Sequence, residues 1–170
     1  MGQAQASIEQ MRAYIKKVNP KVPESVLAMI PLYITEGALE GVRGDIAFAQ
    51  SCLETGNFTF SGSAVTLNQN NFCGMGVTRT GVKGNSFKTP KEGIRAQVQH
   101  LKAYACDDAL EQRCIDPRFT YVNVVALPMW SGWGSRRILP APVGLQEKDM
   151  EIKFWIFYQT SWKQGKERKI

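Results

Sequence analysis

An α+β fold that is mostly helical, with one small β-hairpin lobe in its middle, is what this 170-residue sequence predicts. Three observations carry that prediction. Apolar residues recur at helical spacing in four separate stretches, and cap residues mark three of the helix starts. Residues 56–88 then switch to Gly, Ser, Asn and Thr with only weak alternation.

The first helix opens at Ser7, where Ser7 and Gln10 have capping-box spacing. Asn19-Pro20-Lys21-Val22-Pro23 breaks it, because two prolines remove donors and push their neighbours toward extended backbone. A second helix is predicted from about Glu24 to Glu40, with Val26, Leu27, Ile30 and Ile34 on one face, Pro31 as a kink and Gly41 as its stop. Asp45 reads as the N-cap of a third, short helix through Leu53, with Ile46, Ala49 and Leu53 at helical spacing and Gly56 beyond its end. A long loop and a small hairpin follow, with Gly81 near the turn. Thr89-Pro90-Lys91-Glu92 then supplies a cap, a proline at the first helical position and a capping-box glutamate. Ile94, Val98, Leu101 and Ala105 give that fourth helix its expected buried stripe.

Composition narrows the class. The chain is one domain long, and 44% hydrophobic with 21% charged residues is ordinary for a globular protein. No apolar run reaches the roughly 18 residues of a membrane span, so no membrane insertion is expected. The first residues have neither a basic nor an apolar leader region, so no signal peptide is read here. Work outside a cell then implies a signal already removed or another route of exit. The net charge of +6 resides mostly after residue 123, and no basic stripe interleaved with aromatics appears before it, which argues against nucleic acid. Cys52, Cys73, Cys106 and Cys114 show no paired metal spacing and only His100 for company, so neither metal nor cofactor is expected. Free thiols are the reading, with a Cys106–Cys114 bridge left open by spacing. His100 reads as a helix-face residue.

Glu54 is the candidate for chemistry. Glycosidic cleavage needs a carboxylic acid still protonated near neutral pH, able to donate to the leaving oxygen. The end of a helix disfavours negative charge, and Phe58, Phe60 and Phe72 are near enough in sequence to exclude water. The alternative, a solvated helix-end glutamate, stays open on local physics alone. No Asp or Glu follows until Glu92, which caps a helix, and Asp107, Asp108, Glu111 and Asp116 lie beyond that helix. A lone protein carboxylate points to a substrate N-acetyl group as the nucleophile.

Ile46-Ala47-Phe48-Ala49-Gln50-Ser51-Cys52-Leu53-Glu54-Thr55-Gly56, followed by Asn70-Asn71-Phe72-Cys73-Gly74-Met75, resembles the bacterial glucosaminidase family of the lysozyme superfamily, whose pattern is A-Q-x-x-x-E-[ST]-G and then N-N-x-x-G. Glu92-Gly93-Ile94-Arg95-Ala96-Gln97, His100-Leu101-Lys102-Ala103-Tyr104-Ala105 and Asp116-Pro117-Arg118-Phe119 resemble its clostridial and phage branch. The resemblance covers roughly residues 23–122. It implies a lysozyme-like helical domain with a small β-lobe walling a glycan groove, and an endo-β-N-acetylglucosaminidase acting on peptidoglycan strands. It implies the general-acid role for Glu54 and groove-lining or structural roles for Gln50, Asn70, Asn71, Phe72 and Gly74. Asn70 and Asn71 read equally as an Asx-bonded turn. The family also implies a helpful tyrosine after the last motif; Phe119 lacks the hydroxyl, which leaves Tyr121. A lytic transglycosylase or muramidase, or a non-catalytic wall-binding module, is the alternative. A monomer is expected, placed in the cell wall or outside the cell, or delivered as a phage endolysin.

After Val122 the motif pattern stops, which divides the chain into a 1–122 catalytic domain and an atypical 123–170 tail holding all four tryptophans (130, 133, 155 and 162). A shifted reading frame accounts for the tail: read one base earlier, Met129-Trp130 forces Val, Met150-Glu151 forces Gly and Trp155-Ile156 forces Asp, all consistent with a family-like ending. A genuine lineage-specific tail is the alternative.

Overall fold

The computed structural model describes residues 1–121; the tail, with the shifted-frame reading attached to it, lies outside the described residues. Four α-helices follow one another: α1 (Ile8–Val18), α2 (Glu24–Glu40), α3 (Gly44–Glu54) and α4 (Pro90–Ala105). Two 3-10 turns, Leu67–Gln69 and Phe119–Tyr121, complete the regular structure.

The helix boundaries follow their caps. Ser7 Oγ accepts the Gln10 N–H at 3.2 Å and Gln10 Oε1 accepts the Ser7 N–H at 2.9 Å, the expected capping box. Gly41, in the left-handed conformation at φ 69°, ends α2 where predicted. Pro31 has no N–H for the Leu27 carbonyl one turn back, and Arg12 Nε from α1 donates to that oxygen at 3.4 Å. Asp45 is not the cap of α3. Arg43 takes that position, without a side-chain capping bond, and Asp45 sits in the first turn. Its Oδ2 accepts the N–H groups of Gln5 and Ala6 at 3.0 and 3.2 Å and the Arg43 guanidinium at 2.6 Å. Its charge still complements the helix start, while its bonds tie the N-terminal arm to α3.

Close approach of α2 and α3 depends on two glycines. A methyl group on Gly44 would strike the Tyr33 carbonyl, and one on Gly37 would lie 2.7 Å from Gly44 N and Val42 O. At the head of α4, Thr89 Oγ1 accepts the Glu92 N–H at 3.2 Å as predicted, but the Glu92 carboxylate bonds the Lys88 N–H rather than the cap residue. Ile94 and Val98 are buried; Leu101 and Ala105 are only half-buried. Burial instead spreads around α4 to Ala96, Gln97, Gln99, Lys102 and Ala103, because α4 packs on both α2 and α3.

Two carboxylates of α2 hold α4. Glu36 accepts from Arg95 Nε at 2.7 Å, and Glu40 pairs with Lys102 Nζ at 3.1 Å, both partners of the second pair being buried. Glu40 also accepts the Glu111 and Gln112 N–H groups at 3.0 and 3.2 Å, which docks the segment after α4. Burial by itself would raise the Glu40 carboxyl, but the bonds from Glu111, Gln99 and Lys102 outweigh it and hold it below the ordinary value.

The predicted β-hairpin is absent: no strand occurs among the described residues. Residues 75–87 still go out and return, turning at Gly81 (φ 84°), but one backbone bond joins the two limbs, Asn85 N–H to Met75 O, while Phe87 N–H reaches back to Gln69 O, both 2.8 Å. Side-chain amides replace the ladder. Gln69 donates to Gly84 O, Asn70 to Phe87 O, and Asn71 to both Met75 O and Asn85 O. A segment with weak alternation has no apolar face to register a pleated pair, so local amide bonds win. All four cysteines are free.

Replacing Lys102 with Met strands Glu40 in the core; chemical denaturation is expected to show a loss of about 3–5 kcal/mol. Because the folded Glu40 carboxyl lies below its unfolded value, its contribution is present above the ordinary carboxylate range and is lost as pH falls through the folded value. A methyl group at Gly93 would collide with the Asn70 carbonyl, so Gly93→Ala is expected to cost about 1–3 kcal/mol in the same measurement.

Candidate active site

Glu54 is the last residue of α3, and Thr55 closes the helix behind it. Glu54 is half-buried, and that burial raises the proton affinity of its carboxyl above the ordinary glutamate value. Among the described residues, no hydrogen bond or ion pair holds that carboxyl. Desolvation that raises the proton affinity of a carboxyl with no internal acceptor is the setting that a proton donor to a ligand requires.

The chain directly after Glu54 is strained. Gly56, Asn57, Phe58 and Phe60 all have positive φ, between 56° and 60°, and three of the four carry side chains that disfavour this conformation by about 1–2 kcal/mol each. Hydrogen bonds hold the run: Asn57 N–H to Cys52 O at 2.6 Å, Phe60 N–H to Thr55 O at 2.8 Å and Phe58 N–H to Thr55 Oγ1 at 2.9 Å. What the strain achieves is an aromatic plug. The Phe58 ring stacks on Phe48 at 5.9 Å between centroids and meets Phe72 at 6.1 Å and Phe60 at 6.5 Å. The aromatics expected to shield this end of α3 therefore form one cluster.

Gln50 stands one helical turn before Glu54, and a chain of buried bonds sets its side chain. Tyr33 Oη donates to Ser51 Oγ at 2.8 Å, Ser51 Oγ to Gln97 Oε1 at 2.9 Å, and Gln97 Nε2 to Gln50 Oε1 at 2.8 Å. With its oxygen engaged, half-buried Gln50 has its two amide hydrogens without a partner among the described residues.

The Asn-Asn loop divides by role. Asn70 is left-handed at φ 50° and its amide holds Phe87 O. Asn71 is fully buried, donates to two carbonyls and accepts the Met75 N–H at 2.9 Å, which leaves no exposed atom for a sugar. The turn-pinning alternative describes it. Phe72 is equally buried, inside the aromatic cluster, so its ring has no free face for a glycan. Gly74 is accessible; its left-handed φ of 65° requires glycine, while a methyl group there would meet nothing. Tyr121 closes the final 3-10 turn, and its side chain lies outside the described residues.

Sequence reasoning missed Cys73 and Asp116. Burial pushes the Cys73 thiol up to about 12, and Glu54 and Asp116 both act on it, so the Asn-Asn loop stands within electrostatic reach of both carboxyls. Asp116 is itself fully engaged: Oδ2 is 2.7 Å from His100 Nδ1 and Oδ1 accepts the Arg118 N–H at 2.8 Å. The second of those bonds is an Asx turn, for which Asp116-Pro117 was a readable signal. His100 thus holds Asp116, with its ring against Tyr104 at 5.0 Å.

Residues 30–138 match the family described as mannosyl-glycoprotein endo-beta-N-acetylglucosaminidase, a match that runs past the last motif read above. An uncharacterized protein of Borreliella burgdorferi is 39% identical over 129 residues, covering 75% of this chain and 63% of the relative, so the chain spans less than two thirds of that relative's length. No solved structure matches. With its E-T-G helix end and Asn-Asn loop brought together around one desolvated carboxyl, the chain belongs to the glucosaminidase family.

Proposed function

We propose that this chain hydrolyses β-1,4 glycosidic bonds in the glycan strands of peptidoglycan as an endo-β-N-acetylglucosaminidase, with Glu54 as general acid. The observation that carries this reading is the setting of Glu54: desolvated, without an internal partner, and next to a loop whose residues fit the family pattern. Cleavage begins when the Glu54 proton passes to the glycosidic oxygen as the bond to the anomeric carbon lengthens. Gln50, held by its oxygen, offers amide hydrogens to sugar hydroxyl or N-acetyl oxygens. Among the described residues no free second carboxylate accompanies Glu54, since both Asp116 oxygens are engaged. That supports attack by the substrate's own N-acetyl oxygen, followed by water opening the resulting ring and returning a proton to Glu54. Tyr121 is the candidate for orienting that N-acetyl group.

Purified wall, followed by turbidity and by mass spectrometry of released reducing ends, tests the reading. N-acetylglucosamine ends support it, whereas anhydro or plain muramic ends assign the chain to transglycosylase or muramidase chemistry. Binding without release means a wall-binding module. Glu54→Gln is expected to slow release by about 10²–10⁴-fold while sedimentation with wall persists.

Two pH dependences follow from the raised Glu54 carboxyl. Activity is expected to fall as pH rises through the folded value, because the acid loses its proton. For stability the folded chain binds that proton more tightly than the unfolded chain, so ionisation costs stability once pH passes the unfolded value. Glu54→Gln is therefore expected to melt higher than the parent at neutral pH, with the gap closing below the ordinary carboxylate range; a pH series of calorimetric Tm values reads it.

A further inference from the structure

The family match begins at residue 30, so α1 and the turn after it lie upstream of it. That upstream stretch nevertheless grips α3 at both ends. In the first turn of α3, the N–H groups of Gln5 and Ala6 close on Asp45. Beyond its C-terminal end, buried Asn19 donates its Nδ2–H to the Asn57 carbonyl at 2.9 Å, and Tyr14 Oη donates to Asn57 Oδ1 at 3.4 Å.

Asn57 is three residues past Glu54 and lies inside the left-handed run. In a helix its carbonyl would meet the N–H of Ser61, but that N–H goes to Thr59 Oγ1 at 3.3 Å. The carbonyl therefore depends on Asn19. Asn19 is itself fixed as the C-cap of α1, its N–H on Ile15 O at 2.8 Å and its carbonyl accepting the Val22 N–H at 3.0 Å. Strained backbone persists only where its surroundings over-determine it. Here the outside determinants are Asn19 and Tyr14, and what they hold in place is Phe58, the plug behind Glu54.

We propose that Asn19 is a positioning residue for the glycosidase reaction, and that residues 5–19 act as a clamp which holds the Glu54 end of α3 by gripping Asn57. The proposal rests on the reading of Glu54 as the acid. The titratable groups bearing on this end of α3 are Cys73, on the facing loop, Asp116, which acts on the same thiol, and Tyr14 of the clamp itself.

Asn19→Ala removes the donor, and Asn19→Asp keeps the shape while turning the donor into an acceptor. On soluble glycan strands prepared by stripping the peptides from purified wall, both variants are expected to lose about tenfold in kcat with KM held within about twofold. In full-length protein enriched with ¹³C-glutamate, the Glu54 titration midpoint, assigned against Glu54→Gln, is expected to move down toward the ordinary glutamate value. Unchanged kcat and midpoint in both variants overturn the clamp, as does a loss that tracks only the folded fraction seen by circular dichroism. If neither Asn19 variant folds, Tyr14→Phe is read the same way and decides it. An inactive parent whose Glu54 midpoint still moves on clamp mutation sinks the glycosidase reading and leaves the clamp standing. An active parent whose midpoint stays put does the reverse.

Discussion

The buried chain of hydrogen bonds from Tyr33 through Ser51 and Gln97 to Gln50 fixes how three helices stand relative to one another. Tyr33, Ser51 and Gln97 are removed from water, and an orphaned buried donor or acceptor costs about 1–3 kcal/mol. Rotating α3 by even a fraction of a turn would break Ser51 from both neighbours. The face of α3 that carries Gln50 and, one turn on, Glu54 is therefore set by a polar constraint. The contact of Gly37 and Gly44 adds a steric one, since only a missing Cβ lets α2 and α3 come close enough for Tyr33 to reach Ser51. Apolar packing at Phe48 and Ile94 supplies driving force, but it is non-directional and would tolerate other rotations.

Around that fixed helix the protein accepts two local costs. One is the desolvated carboxyl of Glu54, disfavoured whenever it ionises. The other is the left-handed run of Asn57, Phe58 and Phe60. The two are linked, because the run turns Phe58 into the aromatic cluster that excludes water from the end of α3. Energy to hold both comes from elsewhere in the domain, from the Glu36 and Glu40 bonds that seat α4 and from the α1 side chains that reach Asn57. The role proposed for Glu54 sets stability against function at this one residue.

The candidate site was unevenly legible. Glu54 could be singled out from its helix end and neighbouring aromatics, and Gln50 through the family resemblance; helical spacing then puts the two, at i and i+4, on one face. The Asn-Asn loop could be found as a motif but not sorted: only coordinates show that Asn71 spends its amide on Met75 and Asn85 and faces no solvent. Phe72 could be read two ways, as shield or as sugar platform. An aromatic in a polar segment suits a sugar platform as well as a core plug, and depth decides between them. Asp116, Cys73 and Asn57 bear on the site through partners 16 to 43 residues away in sequence, a separation at which spacing carries no information.

By itself, the sequence determined where the helices start and stop, because caps, prolines and the Gly41 stop act within a few residues: Ser7, Gly41 and Thr89 lie where local chemistry requires. It also determined the family, through motifs in a set order. Tertiary structure alone decided which polar side chains are spent inside. It made Asp45 an anchor for the N-terminal arm, replaced the expected hairpin with amide-held loops and buried α4 on more than one side. The physical reason is common to all three. A cap or a turn satisfies backbone groups with neighbours in the chain, whereas a buried carboxylate or amide must find partners that only folding brings near.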